Sequence, residues 1–276
     1  KQCDKYHSKG CFYTRTTGIW QTVWLEFVPR MYLKSVQVTT DYRMGSVTFL
    51  ATVNELPKAL TLRTSISFDG KPCASFETPL SAGGTIYTMQ VGDVKCWDIL
   101  QPNLYDVTYE LLDGNAVIDT VQSYFGFRTV ELREHSLWLN GRPIFQRLVL
   151  DQGFYPDGIW TAPSDDALRR DIELGLAAGF NGARLHQKVF EERYYYWADR
   201  LGYITWGESP SWGMDANDVE TARNFLSEWA ECVVRDRNHP SLLTWTPMNE
   251  EWWPDNTQFP RFASDVYDLT GRLDPT

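Results

Sequence analysis

NGARLHQ at 181–187, EERYYYWADRLG at 191–202, GYITWGESP at 202–210, VETARNFLSEWAECVVRDRN at 219–238 and SLLTWTPMNE at 241–250 decide the fold class of this chain. Short apolar runs alternate with longer amphipathic ones across brief connections, the pattern of parallel βα units rather than of segregated strands and helices. Working upstream, DDALRRDIELGLAAG (165–179) reads as a helix with Ser164 as its N-cap, Leu168, Ile172, Leu174 and Leu176 as its apolar positions, and Gly179 closing it. Before it, Leu137–Leu150 reads as a hairpin around Asn140-Gly141 and then a short apolar strand; downstream, FPRFASDVYDLTGR (259–272) adds a last helix. A dinucleotide-binding fold needs a glycine-rich phosphate turn after its first strand, and LVLDQGFYPDG (148–158) is not GxGxxG. A (β/α) barrel fits better, and barrels carry their chemistry at the C-terminal ends of the strands. Asp151 and Gln152, then Arg184, His186 and Gln187, then Trp206 and Glu208, then Asn249 and Glu250 stand at those ends, so they are the candidate site.

Between about residues 11 and 126 the pattern is different. TVWLEFV (22–28), YLKSVQVTT (32–40), GSVTFLATV (45–53), LTLRTSISF (60–68), IYTMQV (86–91), YDVTYELL (105–112) and AVIDTVQSYFGF (116–127) are rich in β-branched and aromatic residues with period-two stretches. Asp69-Gly70, Gly83-Gly84 and Asp113-Gly114 punctuate them. Strands at this spacing without helical periodicity predict an immunoglobulin-like β-sandwich.

Composition narrows the function classes. Among 276 residues, 26 Lys+Arg face 36 Asp+Glu, a formal charge of −10, and no basic run occurs, which argues against nucleic acid as a partner. No stretch of about 18 apolar residues is present to span a bilayer, so no membrane partner is expected. Five cysteines form neither a CxxC pair nor a cluster with histidine, so no metal site is expected; pairing of Cys3 with Cys11 or of Cys73 with Cys96 stands as the alternative to free thiols. Aromatic residues make up 14%, with 12 Trp, a supply that serves sugar-binding clefts as well as the cores of β-rich proteins.

The ordered set of segments resembles glycoside hydrolase family 2, in the clan of retaining (β/α)8 glycosidases that includes β-galactosidases, β-glucuronidases and β-mannosidases. TTGIWQTVWLE (16–26) resembles the closing strand of that family's N-terminal jelly roll; CWDILQPNLYDVTYEL (96–111) and YFGFRTVEL (124–132) resemble the end of its immunoglobulin-like sandwich; SLWLNGRPIFQRLVLDQGFYP (136–156) resembles its entry into the barrel. GFNGARLHQ, YYYWADRLGYITWGE and RNHPSLLTWTPMNE follow in the family's order. The resemblance implies three parts: the end of a jelly-roll domain at 1–33, an immunoglobulin-like sandwich at 34–128, and the first half of a TIM (β/α)8 barrel at 129–276.

It also implies roles. Glu250, ending the fourth barrel strand, would be the acid/base of a retaining β-glycosidase that removes a terminal β-linked sugar, donating a proton to the leaving oxygen and then activating water. Burial among Trp245, Trp252 and Trp253 is expected to favour its protonated form. Asn249 would bind the sugar 2-hydroxyl, and Arg184 would sit beneath the carboxylates as their charge partner. His186, Asp151, Gln152, Glu208 and Trp252 are further candidates for substrate contact; His186 with Gln187, and Asp151 with Gln152, depart from the family's usual wording at those places. Glu208 as an acid that orients its neighbours and Trp252 as a core residue remain open alternatives. The family's nucleophile is a Glu of the seventh strand, and no Glu follows Glu251. The expectation is therefore a segment of a longer enzyme needing no cofactor, with a homo-oligomer, a complementing chain or a non-catalytic carbohydrate-binding protein as the other readings.

Overall fold

The computed structural model describes residues 3, 5–56, 58–250 and 257–276. They divide into two compact units, Trp24–Phe145 and the pair of segments Lys1–Val23 with Gln146–Thr276.

The first unit is β throughout. Its strands are β1 (Leu33–Asp41), β2 (Ser46–Val53), β3 (Thr61–Phe68), β4 (Lys71–Pro79), β5 (Thr85–Gln90), β6 (Tyr105–Asp113) and β7 (Ala116–Phe125), followed by β8 (Val130–Arg133), β9 (Ser136–Leu139) and β10 (Arg142–Pro143). Antiparallel sheets β1-β2-β5 and β4-β3-β6-β7 form the immunoglobulin-like sandwich, and β10-β9-β8 is a separate three-stranded sheet. The alternation legible in the sequence is the alternation of burial: Val47, Phe49 and Ala51 on β2, Leu62, Thr64 and Ile66 on β3, and Tyr105, Val107, Tyr109 and Leu111 on β6 turn inward. Phe49 packs on Tyr87, Tyr109 and Phe125 at ring separations of 5.2, 5.8 and 6.0 Å. A polar pair in this interior is satisfied, with Thr64 Oγ1 and Tyr87 Oη 2.6 Å apart, and burial pushes the Tyr87 phenol up to about 12.

Two strand readings differ from the structure. β4 was not legible because it is an edge strand, exposed along nearly its whole length and bounded by Pro72 and Pro79, so it lacks the inward alternation that marks a strand. The strand expected at 22–28 does not form. Val23, Leu25 and Phe27 alternate as a strand should but are 72%, 86% and 98% exposed, and a strand needs a neighbour to pair with.

The second unit carries β11 (Leu148–Asp151), α1 (Asp165–Ala177), β12 (Gly182–Leu185), α2 (Glu192–Leu201), β13 (Ile204–Glu208), α3 (Val219–Asp236), β14 (Leu242–Thr246) and α4 (Phe259–Leu273). The four strands are parallel and lie in sequence order, β11-β12-β13-β14, with no reversal, the order of half a TIM barrel rather than of a doubly wound sheet. Ser164 Oγ caps α1 by accepting from Ala167 N at 3.1 Å, and Asp218 Oδ2 caps α3 by accepting from Thr221 N at 3.1 Å. Leu168 and Ile172 of α1 are buried as expected; Leu174 is half exposed, because two residues carry it about 200° round the helix from Ile172, away from the buried face. At Gly182 a Cβ would meet Ile204 O at 2.5 Å, so this glycine lets β12 and β13 approach. Asp199, fully buried on α2, accepts from Ser241 N at 2.9 Å and pairs with His239 Nδ1 at 2.6 Å, fixing the chain just before β14. Among the described residues no helix is long and apolar enough to cross a membrane, and Cys73 and Cys96 are not joined.

Candidate active site

Parallel pairing brings the ends of β12, β13 and β14 to one level, and three side chains meet there. Arg184 Nε donates to Glu208 Oε2 at 2.7 Å, and Arg184 Nη2 donates to Asn249 Oδ1 at 2.6 Å. The guanidinium therefore spans two strand ends, a task that suits its planar fork of donors. Glu208 has no exposed side-chain surface. A carboxylate so buried must have its charge compensated and its lone pairs filled, and here Oε1 takes His186 Nδ1 at 2.8 Å and Gln187 N at 3.0 Å while Oε2 takes Arg184. Glu208 is thus the group around which Arg184, His186 and the backbone of Gln187 are arranged.

A second layer of bonds holds the turn after β14. Asn249 N donates to Ser211 Oγ at 3.1 Å and Asn249 O accepts from Trp212 Nε1 at 2.7 Å, so both sides of the residue before Glu250 are gripped. Gln187 Nε2 lies 3.4 Å from Ser211 Oγ, and Gln187 Oε1 accepts from Trp212 N at 3.3 Å. Gln187 and Glu250 both hold left-handed backbone, with φ of 56° and 54°. Such angles cost a non-glycine residue about 1 kcal/mol and persist where surrounding bonds over-determine them; at Gln187 and at the Asn249–Glu250 peptide those bonds are the ones just named.

Glu250 itself is exposed, where burial was expected. The Trp245 ring packs edge-on to Trp229 at 5.5 Å and its Nε1 donates to Asp274 Oδ2 at 2.8 Å. Trp252, Trp253 and Glu251 lie outside the described residues. Asp151 ends β11, but its carboxylate is committed locally: Oδ1 accepts from Gly153 N at 2.8 Å and Oδ2 from Tyr194 Oη at 3.2 Å, and burial raises its pKa. Gln152 follows it with Oε1 buried and without a hydrogen-bond partner among the described residues. Hence Arg184, His186, Glu208 and Asn249 come together, Glu250 stands at their rim, and Asp151 and Gln152 stand apart from them at the end of β11.

Beside this network is a pocket of about 460 Å³ lined by Phe12, Trp20, Trp160, Gln187, Lys188, Val189, Pro210 and Trp212. Ser211, Trp212 and Lys188 were not singled out from sequence. The usable signal was position: all three follow within four residues of a strand's C-terminal end, the end that also carries Glu208 and Asn249. Among the described residues no group of three or more His, Cys, Asp or Glu could hold a metal ion.

A half barrel of parallel strands with an arginine-carboxylate-amide cluster at its C-terminal ends, preceded by an immunoglobulin-like sandwich, defines a class of protein that comparison makes specific. The profile of Glycosyl hydrolases family 2 matches residues 31–128, and that of the Glycosyl hydrolases family 2 TIM barrel domain matches residues 130–276. The chain belongs to glycosyl hydrolases family 2. It is 28% identical over 258 residues to a beta-galactosidase of Vibrio vulnificus, covering 85% of this chain and 25% of that protein, and 25% identical over 268 residues to a beta-galactosidase of Thermoanaerobacter pseudethanolicus, covering 93% and 35%. The structure of a β-glucuronidase from Ruminococcus gnavus in complex with D-glucuronic acid superposes with a TM-score of 0.77 at 21% identity, covering 89% of this chain and 41% of that one, a likeness of fold. The chain spans about a third or less of the length of the first curated relatives it matches.

Proposed function

We propose that this chain is the acid/base half of a retaining β-glycosidase acting on a terminal β-linked sugar. The observation that carries the reading is the Arg184 fork, which links Glu208 to Asn249 and so sets the residue preceding Glu250. In this reading Glu250 delivers a proton to the glycosidic oxygen as the bond to the anomeric carbon breaks, and in the second step takes a proton from the attacking water. Its exposed position at the rim suits a group that must meet a substrate entering from solvent. Asn249 presents its amide to the sugar: Oδ1 is held by Arg184, which leaves the Nδ2 donors for a hydroxyl oxygen. Arg184 and Glu208 position these groups. The glycosyl-enzyme bond would form on a second carboxylate about 5–5.5 Å from Glu250; no Glu follows Glu251 in the sequence. Relatives named beta-galactosidase and putative beta-glucuronidase support galactose or glucuronic acid as the sugar. Trp252 is the candidate surface for the leaving group.

The test is hydrolysis of a panel of aryl β-glycosides by the polypeptide that carries this chain together with the second half of the barrel. Turnover of one or two sugars, with retention at the anomeric carbon and a loss of about 10²–10⁴-fold in Glu250→Gln that is relieved for substrates with good leaving groups, is expected. Undiminished turnover in Glu250→Gln, or inversion at the anomeric carbon, would refute the assignment. A chain that binds these sugars without turnover, even joined to the rest of the barrel, would make it a binding protein.

A further inference from the structure

Lys188 is 3% exposed, three residues beyond β12, and its surroundings are unusual for a lysine. Nζ donates to Gly153 O at 2.7 Å and to Trp160 O at 2.8 Å, so it ties both ends of the loop that follows β11. The rings of Trp20, Phe190, Trp160 and Tyr155 surround it at 4.8, 5.0, 5.2 and 5.9 Å from Nζ to centroid. Ring faces attract a desolvated cation. The loop is built around the ammonium: Gly153 holds φ +57°, and a Cβ there would stand 2.6 Å from Nζ and 2.9 Å from the Phe190 ring. Two of these rings, Trp20 and Trp160, are walls of the pocket beside the Arg184 cluster.

We propose that Lys188 is a positioning residue, whose ammonium holds Trp20 and the loop 153–160 against the end of β12 and so sets the wall of the active-site pocket. The inference rests on the functional reading only in calling that pocket the active-site pocket; the pinning itself is a property of this unit. Two carbonyls and four rings use the ammonium as a hub, which a neutral side chain of the same length cannot replace: methionine offers neither donors nor charge. Removing the proton weakens both bonds, which lose their charge assistance, and abolishes the attraction to the rings.

Burial lowers the Lys188 pKa to about 8, against Asp151 at the end of β11, Glu191 ahead of α2 and Asp171 on α1, which favour the charge. The hub therefore titrates in an accessible range, which gives the experiment. Lysine ¹³Cε–¹Hε and tryptophan indole ¹⁵N–¹H correlations are followed from about pH 6.5 to 9.5, a range below the ordinary lysine pKa. The expected result is one lysine signal, displaced upfield by ring currents and absent in Lys188→Arg, that titrates near pH 8. The Trp20 and Trp160 indole signals should move with the same midpoint in the wild type and lose that titration in Lys188→Arg. In Lys188→Met they should sit displaced from their wild-type positions already at neutral pH, and Gly153→Ala, which pushes on the ammonium, should displace them too. Indole signals of Trp20 and Trp160 that stay fixed while the Lys188 signal titrates in the wild type would overturn the proposal, whether or not the variants fold. So would a folded Lys188→Met with wild-type indole positions. Failure of the glycosidase reading would appear in the Glu250→Gln assay and leave these signals untouched.

Discussion

Replacing Glu208 by glutamine tests the idea that this carboxylate organises the strand ends. The side chain fills three positions, Arg184 Nε at 2.7 Å, His186 Nδ1 at 2.8 Å and Gln187 N at 3.0 Å, with no exposed surface of its own. Glutamine matches its shape but carries one acceptor oxygen, so if that oxygen keeps the Gln187 N–H, the amide NH₂ is aimed at the guanidinium. Removing one partner of a fully buried ion pair costs about 3–5 kcal/mol. Arg184 keeps 27% of its side-chain surface and is partly solvated, so the lower end applies, about 3 kcal/mol. With a urea m-value of about 2.5 kcal/mol per M, the midpoint of the parallel-sheet unit should fall by about 1 M with little change in slope. Glu77→Gln, which removes a partner of Arg63 with half its side chain exposed, serves as the control and should shift the midpoint of the β-sandwich by about a tenth of that or not at all. Arg184→Met combined with Glu208→Leu should cost less than the two single changes together, because no charge is then left stranded. A Glu208→Gln midpoint within about 0.2 M of the wild type, equivalent to about 0.5 kcal/mol, would refute the reasoning.

Other expectations follow from single contacts. Gly182→Ala places a methyl 2.5 Å from Ile204 O and 2.7 Å from Leu148 Cδ2, so denaturant unfolding should show a loss of about 1–3 kcal/mol in the parallel-sheet unit. Ser164→Ala removes the oxygen that accepts from Ala167 N and should cost about 1 kcal/mol, seen as a drop of a few degrees in the melting temperature. Burial opposes a charge on His239, but Asp199 at 2.6 Å, together with Asp236 and Glu192, outweighs it and raises the pKa above 6.5. A raised pKa means that the folded chain binds more protons than the unfolded one between the two values, so this contribution is complete below pH 6.5 and is lost as pH rises through the folded value. Unfolding free energies of wild type minus His239→Gln, measured across that range, should fall with pH; a rising or flat difference would contradict the assignment.

The sequence was sufficient wherever a local pattern and its structural consequence coincide. Period-two alternation in β2, β3, β5 and β6 is the burial pattern of a sandwich, and the residues at 69–70 and 140–141 adopt the left-handed angles that tight hairpin turns require. Alternating βα grammar predicted the parallel sheet, and with it the level at which Arg184, His186, Glu208 and Asn249 meet, because parallel strands end together. Tertiary structure alone decided how those side chains divide the work. Nothing in the order of residues says that Glu208 is sealed from solvent, that Arg184 spans to Asn249, or that Trp212 clamps the Asn249 carbonyl, since each bond joins residues 24 to 65 positions apart whose directions are set by packing. Glu250 illustrates the same limit: its place after β14 is legible in sequence, whereas its exposure is a fact of the tertiary structure. Nothing in the sequence marks Lys188, and only the convergence of Trp20, Tyr155, Trp160 and Phe190, from three separate stretches of chain, makes it a buried hub.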